Sequence, residues 1–127
     1  MTDLKLLGKK GEKFTIKYLK KHKYKILLRN FNNHIGEIDI IAANKEYIVF
    51  VEVKTRQDDT LLPPRFSVDT KQKNNIINTS EYFMRKYKTD LKRRYDISEV
   101  FVDKKGDMSI NYIENAFIKE DIDIYKS

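Results

Sequence analysis

The chain has 127 residues, 40% of them hydrophobic and 35% charged, with 26 Lys and Arg against 19 Asp and Glu for a net charge of +7; this is the size of one domain with a real core, and its charge favours an anionic partner, nucleic acid first. There is no cysteine, which excludes disulfides and thiolate metal sites. No apolar run approaches the ~20 residues of a membrane span and Met1–Lys10 lacks the apolar core of a signal peptide, so the expectation is a single cytoplasmic domain over residues 1–127 with no membrane partner.

Residues from about Asp3 to His22 read as an amphipathic helix, with Leu4, Leu7, Gly11, Phe14 and Tyr18 at helical spacing and Thr2 or Asp3 as its cap. Gly11 lies on the apolar stripe, where a missing side chain lets a helix approach a sheet closely. Lys17, Lys20, Lys21, Lys23 and Lys25 crowd the helix end, where they complement the helix dipole and can meet phosphate. Tyr24–Phe31 predicts a strand, and Asn32-Asn33-His34 a turn.

The most informative stretch follows: Gly36-Glu-Ile-Asp-Ile-Ile41, a turn near Asn44-Lys45, then Val49-Phe-Val-Glu-Val-Lys-Thr-Arg56. Both arms are rich in the residues that suit a pleated surface, and together they predict a β-hairpin. Alternation places Glu37 and Asp39 on one face of the first arm, with Ile38 and Ile40 on the other. It likewise separates Glu52 and Lys54 from Val49, Val51 and Val53. A two-residue loop sets Glu37 opposite Glu52; a four-residue loop sets Asp39 opposite Glu52. Both registers keep the charges on one face. Carboxylates facing each other on apolar strands repel unless something positive sits between them, and a hard divalent cation is the natural filler. A lysine two residues after a carboxylate can orient or help deprotonate an attacking water, which is the chemistry of metal-assisted phosphodiester hydrolysis. Such a face is also found as plain edge-protecting charge.

Beyond the hairpin, Pro63-Pro64 argues for a loop rather than a strand. Arg56 and Arg65 are its phosphate candidates, or else surface partners of Asp58 and Asp59. Asp69 or Thr70 caps a second helix running to about Lys88, with a stripe of Ile76, Ser80, Phe83 and Tyr87 widened by Ile77 and Met84. Its first turn is Lys71-Gln72-Lys73. Lysines there oppose the helix dipole, a placement that a docked phosphate explains, and Gln72 can position a water or a phosphate oxygen. Lys86, Lys88, Lys92, Arg93 and Arg94 form a second basic cluster. Tyr95–Asp103 predicts a strand, Lys104–Asp107 a turn, Met108–Ile113 its hairpin partner, and Asn115–Ser127 a terminal segment packing Ile118, Ile122 and Ile124. The order helix, three strands, helix, two strands predicts an α/β fold with a mixed central sheet flanked by helices.

Asp39 followed by Glu52-Val53-Lys54 resembles the Asp…Glu-x-Lys core of the restriction-endonuclease-like superfamily. More closely, the chain resembles the YraN-like family of small uncharacterised bacterial proteins, regarded as predicted endonucleases distantly related to archaeal Holliday junction resolvases. The stretches that carry this are Gly11-Glu12 with Tyr18-Leu19, Tyr24–Leu27, Arg29-Asn30, Gly36–Ile41, Val49–Arg56, Lys71-Gln72 and Tyr95-Asp96. The chain departs from the family between Gln57 and Ser67, where Pro63-Pro64-Arg65-Phe66-Ser67 stands in place of a glycine after a phenylalanine. The resemblance implies a restriction-endonuclease-like core and a Mg2+- or Mn2+-dependent nuclease acting on DNA, with branched or structured DNA as a candidate substrate and a homodimer as a candidate assembly. It implies Asp39 and Glu52 as metal ligands, the Val53 carbonyl as a third, and Lys54 as the residue that activates the water. Glu12, Glu37 and Gln72 become supporting residues. Arg56, Arg65, Lys71 and Lys73 become phosphate contacts that do not tell bases apart. Two other readings remain: a catalytically silent nucleic-acid-binding or scaffolding domain on the same fold, and a protein-interaction module using the Tyr-rich basic surface.

Overall fold

The apolar run of the second hairpin arm decides the architecture. Ile48, Val49, Phe50 and Val51 are all fully buried, so this strand is covered on both faces, as the central strand of an α/β sheet must be. The computed structural model describes residues 4–57 and 68–119. Their elements are α1 (Leu4–Lys21), β1 (Lys25–Asn32), β2 (Glu37–Ala43), β3 (Tyr47–Gln57), α2 (Thr70–Lys86), β4 (Lys92–Val102) and β5 (Met108–Phe117). The strands form one sheet in the order β1-β2-β3-β4-β5. β3 and β4 are parallel, joined by the crossover that contains α2, and every other neighbouring pair is antiparallel. This is the mixed sheet and the element order that the sequence predicts.

Each face of the sheet carries its own core. On one side Ile41, Phe50, Tyr95, Ile97 and Phe117 pack with Ile76, Ile77 and Phe83 of α2. On the other Ile40, Ala42, Val49 and Val51 pack with Ile16 and Leu19 of α1 and with Tyr24. The β2–β3 pairs Ile40↔Val51 and Ala43↔Ile48 select the longer loop, which places Asp39 opposite Glu52. The turn closes without glycine because the Asn44 side chain accepts from Glu46 N at 2.9 Å and Tyr47 N at 2.7 Å.

Several elements differ from the sequence expectation. Alternation predicts Ile38 on the same side as Ile40, yet Ile38 joins the core under α2. Asn30, which faces this part of β2, holds a left-handed backbone with φ 52° and breaks the regular pleat. The α1 stripe is also rotated. Leu7, Gly11, Thr15, Ile16 and Leu19 are buried, Leu4 is 78% exposed, and Phe14 and Tyr18 are half-buried. The roll follows from two contacts. Gly11 lies hard against Thr55, and the Thr15 hydroxyl is buried because it reaches Gly11 O at 2.9 Å and Ser98 Oγ at 2.8 Å.

In α2, Tyr87 is the exposed C-cap rather than a stripe residue. The strand after α2 begins at Lys92 and buries Arg94, which therefore leaves the basic cluster. Its guanidinium donates to Asp96 through Nε at 2.9 Å and Nη2 at 2.9 Å, and to the Tyr24 hydroxyl. The fully buried Asp96 also accepts from Tyr112 Oη at 2.6 Å and Asn115 N at 2.9 Å. β5 extends past Ile113 to Phe117, whose ring is needed under α2. Met1–Asp3 with the Thr2 or Asp3 cap, the Pro63-Pro64 loop with Asp58, Asp59 and Arg65, and Ile122 and Ile124 lie outside the described residues. Among the described residues no helix is long and apolar enough to cross a membrane.

Candidate metal centre

The middle of β3, the start of β2 and the beginning of α2 meet at an open hollow of about 200 Å³, lined by Gly36, Glu37, Asp39, Glu52, Gln72, Asn75 and Ile76. Asp39 and Glu52 meet there because they face each other across the β2–β3 pair. The regular ladder stops at Ile40↔Val51, and beyond it the Asp39 side chain takes over the pairing: its Oδ2 accepts from Val53 N at 2.8 Å. That bond fixes the carboxylate between the strands. Lys54 lies on the same face as Glu52, its Nζ 3.6 Å from Glu52 Oε1, and both side chains are 15% exposed.

The electrostatics are those of a negative site short of positive charge. Burial pushes the Asp39 carboxyl well above its usual range against the Val53 amide and Lys54, and Glu12 and Glu37 push it further. Glu52 is pushed up more strongly, first by burial and then by Asp39, with which it shares a hydrogen bond; Lys54 opposes this without cancelling it. Glu12, from α1 on the other side, is raised mainly by burial, which outweighs its hydrogen bond to the Asn30 side chain. A carboxylate pair that resists ionisation in isolation gains from a cation placed between its members.

Among the described residues no three His, Cys, Asp or Glu side chains form a group that could hold a metal ion. Asp39 and Glu52 offer a facing pair of carboxylates beside an open hollow that Glu37 also lines, and that donor set fits magnesium. It takes one or two carboxylates and completes its shell with waters and phosphate oxygens. The Val53 carbonyl is the neighbouring backbone acceptor.

The structure brings together Asp39, Glu52 and Lys54, with Glu37 and Gln72 on the same hollow and Glu12 close enough to act on Asp39. Gln72 is half committed elsewhere. Its Oε1 accepts from Asp69 N at 3.2 Å while Asp69 Oδ1 accepts from Gln72 N at 2.8 Å, a capping box that leaves the Gln72 amide N–H groups for other partners. Arg56 follows on the face of Glu52 and Lys54, half-buried, its Nη1 donating to Thr55 O at 3.2 Å. Lys71 is exposed on the first turn of α2. Lys73 sits apart from the hollow, 5.8 Å over the Phe117 ring.

Three residues of the surroundings escape a reading of the sequence. Asn75 lines the hollow one turn after Gln72, and that i, i+3 spacing is the available signal. Gly36 permits the close approach to α2: a Cβ there would stand 3.0 Å from Thr79 Oγ1 and 3.2 Å from Asn75 Cβ. Glu99, 1% exposed, lies beside Lys54 in the parallel β3–β4 register, with Asn111 Nδ2 donating to its Oε1 at 2.7 Å. Its signal, a charge in an apolar strand, is weak alone.

Residues 11–100 match the model of the uncharacterised protein family UPF0102. A UPF0102 protein of Clostridium acetobutylicum is 44% identical over 115 residues, covering 89% of this chain and 94% of the relative. One of Caldicellulosiruptor bescii is 42% identical over 118 residues, covering 91% and 99%. One of Parabacteroides distasonis is 39% identical over 111 residues, covering 87% and 91%.

Proposed function

The chain belongs to the UPF0102 family, the YraN-like family its motifs resemble, and we propose that it is a magnesium- or manganese-dependent nuclease hydrolysing phosphodiester bonds in DNA. One observation carries this reading: Asp39 near the start of β2 and Glu52 in the middle of β3 face each other, with the Lys54 ammonium 3.6 Å from Glu52, beside an open hollow.

A divalent cation at this pair would polarise the scissile phosphate and make water a competent nucleophile at neutral pH. The chain's own residues do the rest. Asp39 is held still by the Val53 amide, so the ligand set is preorganised. Glu52 binds on one side and holds Lys54 on the other. Lys54 supplies a fixed positive charge where negative charge grows during attack, and its position orients the incoming water. Glu12 and Glu37 add negative potential that favours a cation. Gln72 and Asn75 line the hollow, and their amide N–H groups are available as donors for phosphate oxygens. Lys71 and Arg56 are placed to meet the flanking backbone without reading sequence. Branched DNA is the first substrate to try, in line with the family resemblance.

The test is cleavage of branched, single-stranded and duplex DNA with magnesium or manganese, on wild type, Asp39→Asn and Lys54→Ala. Cleavage of at least one substrate, lost in both variants, is the expected result. Unchanged DNA binding with no cleavage under any condition contradicts the proposal and leaves the silent DNA-binding reading.

A further inference from the structure

On the α1 face of the sheet, away from the carboxylate hollow, three aromatic rings stand in a row. Tyr112 of β5 stacks on Tyr18 at 4.9 Å between centroids and 27° between planes. Tyr18 stacks on His22 at 4.1 Å and 30°. The residues are spaced for it: Tyr18 and His22 are four apart on α1 and its C-cap. The His22 ring is pinned by its Nδ1, 2.8 Å from Tyr18 O. At the other end, Tyr112 is anchored by its hydrogen bond to Asp96. The row is rigid where it enters the protein, and His22 at its outer end is exposed.

His22 stands between two hollows. One, of about 390 Å³, has an apolar floor of Phe14 and Ile110 and a rim of Lys17 and Lys21. The other, of about 320 Å³, is bounded by Lys23 and Lys45, with Glu46 the one acidic residue. The helix itself carries seven lysines against the single Glu12.

We infer that this surface holds a single-stranded segment of nucleic acid, with an unpaired base stacked on His22 at the end of the Tyr112–Tyr18–His22 row and its phosphates on Lys17, Lys21, Lys23 and Lys45. Parallel rings with an open end accept one more π-face without rearranging, and such stacking tolerates any base. The lysines match a polyanion, and their arrangement around flat rings distinguishes this surface from a merely basic one. Duplex is disfavoured because its bases keep their faces inside the stack. An anionic membrane is disfavoured because Phe14 and Ile110, the apolar residues of the larger hollow, are half-buried rather than fully exposed. The inference rests on nucleic acid being the substrate and adds that the substrate carries an unpaired stretch.

The test is binding in a chelator, so that cleavage plays no part. A fluorescent oligo-thymidine is compared with an abasic strand of the same length, a duplex, and anionic phospholipid vesicles. Wild type should bind the thymidine strand about tenfold more tightly than the abasic strand, the effect of one stacked base. His22→Ala should abolish that preference and His22→Phe should keep it. Lys17→Gln/Lys21→Gln should lower the slope of log affinity against log salt by about 1.4, two phosphate contacts on a single strand. Equal binding of thymidine and abasic strands, an unaffected His22→Ala, a preference for duplex or vesicles, or no binding at all overturns the inference. Because no metal is present, a positive result alongside an inactive protein sinks the nuclease reading alone.

Discussion

The contact between α1 and β3 gives the sharpest stability prediction. A Cβ added at Gly11 would fall 1.8 Å from Thr55 Oγ1, 3.0 Å from Thr55 Cβ and 3.2 Å from Thr55 Cγ2. Turning the Thr55 side chain moves the first and third atoms but not the second, so α1 must shift outward. Alanine gains about 1 kcal/mol over glycine in a helix interior, and overpacking costs about 1–3 kcal/mol. Gly11→Ala should therefore destabilise by up to about 2 kcal/mol net, a drop in Tm of up to about 8 °C for a chain of this size. Gly8, one turn earlier, has nothing within 4 Å of its virtual Cβ. There only helix propensity acts, and Gly8→Ala should stabilise by about 1 kcal/mol. Thr55→Ala removes a buried hydroxyl that has no partner, so it should be close to neutral alone and should recover about half of the Gly11→Ala loss in the double variant. Urea denaturation followed by circular dichroism measures all four proteins. If Gly11→Ala stabilises as Gly8→Ala does, α1 does not lie against β3 as described, and the placement of Glu12 beside the carboxylates loses its basis.

Three further outcomes are expected. Arg94→Met strands the fully buried Asp96 without its cation and should cost about 3–5 kcal/mol in the same assay. Lys23 closes α1 with φ 68°, with Tyr24 N reaching Leu19 O at 2.9 Å, so Lys23→Gly should stabilise by about 1 kcal/mol. The third concerns pH. Asp39 and Glu52 hold protons more tightly folded than unfolded. Their contribution is therefore full below the ordinary carboxylate range and is lost as pH rises through their raised values, each tenfold gain in proton affinity on folding being worth about 1.4 kcal/mol. Without metal, Asp39→Asn/Glu52→Gln should be more stable than wild type near pH 8. The advantage should shrink as pH falls through the ordinary carboxylate range and vanish below about pH 3, where both carboxyls are protonated in the folded and unfolded states, and saturating magnesium should narrow it by stabilising only wild type.

The hairpin can be read in the sequence because a period of two in Val49–Arg56 separates its two faces whatever the loop length. The register cannot, since both candidate loops preserve those faces; the Asn44 side-chain turn decides it. The α1 roll is hidden for a related reason. Phe14 and Tyr18 are large aromatic side chains while Thr15 is small and polar, and it is the hydroxyl of Ser98, 83 residues away, together with the Gly11 carbonyl, that lets Thr15 be a core residue. Arg94 reads as surface charge within a basic run, although Asp96 two places on shares its side of the strand and is the clue to a buried pair. Within the site, Asp39, Glu52 and Lys54 are legible from two adjacent strands. Asn75 and Glu99 come from elements that only tertiary packing brings to them.

The measurement that bears most directly on the metal centre is calorimetric titration of magnesium and manganese into wild type and Asp39→Ala/Glu52→Ala, with and without a DNA oligonucleotide. The account predicts one site in wild type, tighter when DNA contributes phosphate oxygens, and none in the double variant. No binding in wild type even with DNA present, or equal binding in the double variant, would contradict it.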